Sequence, residues 1–239
     1  MEVHEIPWAQ VTDCLSTVLV CPDIKLVPTL TQLVTSCWKE QEESDWYIFA
    51  PLKMQKDLRR DKRCLFPIEK LSEWNGPDLL RRQGFDMPVG KVRFIPQDLF
   101  GREKGLPPRC LYLHVNKFLL TPPTKLVIVL PGEKKSDLKL RWLTRAVTQN
   151  MPSRRLQVLL VVTDPNVLPK SIYRGSQLLL VTGNNPPSDL YKQAQLSRVV
   201  QDKKHWQALV DSAMQHPNKL LLALFRNDEH RGSIHYINL

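Results

Sequence analysis

Apolar residues recur along the chain in two rhythms, and the change from one to the other organises the reading. Near the start, Trp8, Val11, Cys14, Leu15, Val18 and Leu19 fall at helical spacing, which predicts a helix from Pro7 to Leu19. A second helix is predicted from Val27 to Lys39. Pro28 suits its first turn, and Leu30, Leu33, Val34 and Cys37 form its apolar stripe. "DWYIFAPL" has strand composition and a proline to stop it. Between Met54 and Pro108 the pattern breaks into short helical pieces, "PIEKLSEW" and "PDLLRRQG", joined by loops, and "RCLYLHVNKFLL" then alternates with period two.

After "TPPT" the rhythm changes. "KLVIVLPG", "RLQVLLVVTDP" and "SQLLLVTGNN" are nearly continuous apolar runs, the pattern of strands covered on both faces. Amphipathic stretches lie between and after them: "KSDLKLRWLTRAVTQN", "SDLYKQAQLSRVVQ" and "KKHWQALVDSAMQH". The last 21 residues, "KLLLALFRNDEHRGSIHYINL", predict a hairpin turning at "NDEHRG". The expected class is α/β. A mixed α+β region over 1–120 is followed, over 121–239, by an open, largely parallel sheet with flanking helices and a terminal hairpin.

Composition adds compartment and partner. No apolar run reaches the roughly 20 residues needed to cross a bilayer, and the first ten residues carry two acids where a leader would carry bases. A cytoplasmic protein without a membrane partner is expected. Five cysteines form no close pair, which argues against a disulfide framework or a zinc ribbon. Cys110 and His114 could make half of a metal site, but no second pair is near, so no metal and no cofactor is expected.

Charge is the strongest chemical signal. The net +10 divides into −6 over residues 1–50, +7 over 51–118 and +9 over 119–239. An acidic first segment therefore adjoins a basic body, and the two suit different neighbours: a protein partner for residues 1–50 and a polyanion for the rest. The basic character begins in "MQKDLRRDKRCLFP", where Lys56, Arg59, Arg60 and Arg63 share one helical stripe beside Lys62. Each phosphate that such a stripe neutralises releases counterions. Arg81 and Arg82 extend the basic supply. Lys134, Lys135, Arg141 and Arg145 add to it from the second half, as do Lys170, Tyr173 and Arg174 in "TDPNVLPKSIYRG", where a tyrosine ring could stack on a base.

Catalytic chemistry is sparse by comparison. "LPGEKKSD" follows a buried strand but lacks the first glycine and the length of a phosphate loop, so nucleotide hydrolysis is not expected there. A phosphate held by a helix start and two lysines is still compatible with it. Neither a Gly-x-Ser-x-Gly elbow nor a paired-carboxylate strip occurs. The reading these patterns favour is a non-enzymatic nucleic-acid-binding subunit of a larger assembly, with DNA slightly preferred over RNA. The alternatives are a protein-interaction adaptor or assembly subunit without nucleic-acid contact and, third, a metal-independent RNA-processing nuclease using His230 or His235 near Asp228 and Glu229.

Overall fold

The computed structural model of the protein describes residues 4–5, 11, 14–36, 38, 45–50, 92–96, 124–130, 156–182, 190–193, 200, 202–215, 219–225 and 234–238. In chain order the elements are β1 (His4–Glu5), β2 (Ser16–Val20), α1 (Val27–Ser36), β3 (Asp45–Ala50), β4 (Val92–Pro96), β5 (Thr124–Leu130) and β6 (Leu156–Val162). They continue with α2 (Lys170–Gly175), β7 (Leu178–Thr182), α3 (Leu190–Gln193), α4 (Lys203–Met214), β8 (Lys219–Phe225) and β9 (Ile234–Asn238).

Among the described residues all nine strands join one mixed sheet in the order β1-β9-β8-β7-β2-β6-β5-β3-β4. From β7 to β4 every pairing is parallel. β8 then runs antiparallel to β7, and β9 antiparallel to β8, as the expected terminal hairpin requires. Strands from residues 4–96 and 124–238 interleave, with β2 between β6 and β7, so residue 120 is not a boundary of the sheet.

Both faces of β2, β5, β6 and β7 are covered, which is why these strands are rich in apolar residues throughout. On one face Val18, Val20, Ile128, Leu160 and Val181 pack with Ile172 and Tyr173 of α2, Leu190 of α3, and Trp206, Leu209 and Val210 of α4. On the other, Leu19, Val127, Val161, Leu178 and Leu180 pack with Val27, Leu30 and Val34 of α1.

The same double burial corrects the helix expected over 7–19. Residues 16–20 are a central strand, with Thr17, Val18 and Leu19 all at 1% exposure or less. A strand buried on both sides has no polar face, so its apolar positions matched a helical phase without being helical. Three of its five residues, Thr17, Val18 and Val20, are β-branched, the chemistry that favours extended backbone. The other corrections are smaller. α2 occupies part of what reads as a loop, and β4 lies where short helices and loops are expected. Helix α1 begins at Val27 as expected, and the strands read at 125–132, 155–165 and 176–185 correspond to β5, β6 and β7. The helix over 136–150, the strand over 109–120 and the hairpin turn lie outside the described residues.

Candidate functional site

The central strands finish in line. Leu130, Val162, Val20 and Val181 are in register at the ends of β5, β6, β2 and β7, and these parallel strands share one carboxyl edge. Open α/β sheets take ligands in the crevice outside this edge. Beyond it, among the described residues, lie the turn 21–26 between β2 and α1, the loop 163–169 between β6 and α2, and Thr182 at the end of β7.

The β2–α1 turn is short and contains no glycine: Cys-Pro-Asp-Ile-Lys-Leu. Its backbone donors are largely consumed within the fold. Cys21 N–H donates to the Val162 carbonyl at 2.9 Å, Lys25 N–H to Asp23 Oδ1 at 2.9 Å and Leu26 N–H to the Asp23 carbonyl at 3.1 Å. Pro22 and Pro28 have no N–H to give. The carboxylate of Asp23 thus folds the turn onto itself, in the manner of an Asx turn. Pro22, Asp23, Ile24 and Lys25 are exposed, and Ile24, at 54% exposure, presents an apolar side chain to solvent there.

Cys21 is buried beneath this turn, and its thiol donates to the Asp23 carbonyl oxygen at 3.1 Å. Burial, and secondly the Asp23 charge, push its pKa from the ordinary 9.0 up to about 12. Tyr173 is shifted upward too, by burial and then by Asp164. Both groups are neutral in the folded protein and ionise more readily when it unfolds. Their contribution is therefore fully present below about pH 9 and lost as the pH climbs toward 12. Urea midpoints are expected to fall over that alkaline interval, and a Cys21→Ser variant is expected to flatten the fall. A midpoint that does not change from pH 8 to 11 would contradict the burial of both groups.

The loop after β6 is also self-closed. Asp164 Oδ1 accepts from the backbone N–H of Asn166 at 2.8 Å and from its side-chain amide at 2.9 Å. Tyr173 corrects its expected role as a stacking ring. It is fully buried in the core, and its hydroxyl donates to the Pro165 carbonyl at 2.8 Å, pinning α2 under the loop. Lys170 and Arg174, four residues apart on α2, are exposed and share one side of that helix. Lys56, Arg59, Arg60, Lys62, Arg63, Arg81, Arg82, Lys134, Lys135, Arg141 and Arg145 lie outside the described residues, as do Cys110, His114 and His230. His235 is half-buried on β9. Among the described residues no group of three His, Cys, Asp or Glu could hold a metal ion, and no helix is long and apolar enough to cross a membrane.

No family model matches the chain, and no curated protein matches it in sequence. The fold is nevertheless shared with solved structures. The genome packaging NTPase B204 from Sulfolobus turreted icosahedral virus 2, in complex with ATP-gammaS, superposes with a TM-score of 0.54 at 14% identity. The match covers 94% of this chain and 97% of that one. The same NTPase with AMPPCP gives 0.53 at 14% identity over 94% and 98%, and with sulfate 0.52 at 13% over 94% and 97%.

This likeness corrects the functional expectation. The non-enzymatic nucleic-acid-binding subunit, with the adaptor and histidine nuclease as its alternatives, gives way, because the solved structures sharing the fold are NTPases. The missed signal was β2. Once 16–20 is a strand, the chain from Ser16 to Ser36 reads strand, turn, helix, the arrangement that places a helix start beside a ligand.

Proposed function

We propose that the protein binds a nucleoside triphosphate at the carboxyl edge of β2, β6 and β7 and, as an NTPase, uses it in handling nucleic acid. The observation that carries this reading is the strand–turn–helix at the centre of a parallel sheet, in a fold whose solved counterparts were captured with ATP-gammaS and AMPPCP.

A glycine-rich phosphate loop works by turning successive backbone N–H groups onto the phosphates. The turn 21–26 does not fit that design, since it has no glycine, and Cys21, Lys25 and Leu26 spend their N–H groups inside the fold. Binding here rests instead on the Lys25 ammonium and the positive end of α1, both at the mouth of the crevice. The exposed side chain of Ile24 gives the same turn an apolar surface.

The basic body supplies the second partner. Lys56, Arg59, Arg60, Lys62 and Arg63, with the exposed Lys170 and Arg174, provide phosphate contacts for nucleic acid, whose engagement the nucleotide would drive. Titration calorimetry with ATPγS, and phosphate release from ATP with and without nucleic acid, test the reading. Saturable ATPγS binding and ATP turnover raised by nucleic acid are expected. Folded protein that neither binds ATPγS nor releases phosphate from ATP would overturn it.

A further inference from the structure

Two buried hydroxyls in the sheet have no hydrogen-bond partner among the described residues, Thr17 Oγ1 and Thr182 Oγ1. A buried hydroxyl left without a partner is costly, so each asks for a reason. Their positions differ. Thr17 lies inside β2, level with Leu159 of β6 and Leu178 of β7. Thr182 ends β7, 4% exposed, one residue beyond the Val20–Val181 pair, which sets it beside Cys21.

Strand alternation fixes the face. Leu178 and Leu180 belong to the core cluster that also holds Val27 and Leu30 of α1, so Thr182, two residues further on, turns to that same face of the sheet. Neighbouring strands are about 4.8 Å apart, so a group seated over the end of β2 lies within hydrogen-bonding reach of a side chain at the end of β7. Helix α1 is ten residues long and begins at Val27, two residues after Lys25. A helix start and an exposed lysine after β2, and a buried hydroxyl without a partner among the described residues at the end of the adjacent β7, therefore lie along the same carboxyl edge.

We infer that Thr182 is a phosphate-binding residue, its hydroxyl donating to an oxygen of the polyphosphate held at the start of α1. This rests on the nucleotide reading and deepens it. Thr182 supplies from a neighbouring strand one of the donors that a glycine-free turn withholds.

The test is titration calorimetry of ATPγS and of inorganic pyrophosphate against the full chain and three variants: Thr182→Val, Thr182→Ser and Thr17→Val. The valine variants keep the side chain's shape and replace the hydroxyl by a methyl group, and their thermal melts verify folding. Thr182→Val is expected to weaken both probes about tenfold, as losing a hydrogen bond to a charged group does. Thr182→Ser is expected to restore them to within about twofold, and Thr17→Val to leave them unchanged. Wild-type binding of ATPγS with an unaltered Thr182→Val affinity would overturn this inference while leaving the nucleotide reading intact. Weakening confined to ATPγS would also overturn it, because the contact would then be to the nucleoside. A wild-type chain that binds neither probe would overturn both readings.

Discussion

Placing a lysine at position 17 is expected to abolish stable folding. Thr17 is 1% exposed in β2, between β6 and β7, with the sheet covered on both faces. A Thr17→Lys side chain would bring an unpaired ammonium into that layer, a cost of several kcal/mol. Total stabilities are only about 5–15 kcal/mol, so the variant should be recovered insoluble or with a urea midpoint near zero. The helix read over 7–19 leads elsewhere, because on that helix Thr17 lies off the apolar stripe and a lysine is harmless. A Thr17→Lys protein with a stability within about 1 kcal/mol of wild type would restore the helix and remove the central strand of the proposed site.

The second large effect concerns Lys25. Replacing it by glutamate leaves the fold untouched, because the side chain is exposed and the turn is held by its backbone N–H and by Asp23. Thermal melts of Lys25→Glu should match wild type within the small range typical of surface substitutions. Its affinity for ATPγS should nevertheless fall at least about thirtyfold, since a charge-assisted contact is exchanged for repulsion. Equilibrium dialysis against labelled ATPγS measures it, and rising ionic strength should narrow the difference. Equal affinities for the two proteins would mean that the triphosphate lies elsewhere.

What could be read from the residues and what could not follow from the same cause. The runs at 125–132, 155–165 and 176–185 announce themselves as buried strands because they are long and rich in valine and leucine. The run at 16–20 has the same chemistry but is shorter, and Cys14 and Leu15 before it complete a helical phase that the fold does not use. Losing β2 hid the turn, and with it Lys25 and Asp23, which stand in no familiar motif. Thr182 could not be found from sequence at all, because it matters only through the pairing of Val20 with Val181. Tyr173 differs from its expected place for another reason. A tyrosine between a lysine and an arginine suggests a surface, but here its ring fills the core and only its hydroxyl finds a polar partner, at Pro165.

Backbone hydrogen exchange with and without ATPγS tests the central claim, that the carboxyl edge at the β2–α1 turn is the nucleotide site. Slowed exchange is expected at residues 23–29 and around 163–166 and 182, with the amino ends of the same strands unchanged. Protection confined to other segments, or none at saturating ATPγS, would contradict it.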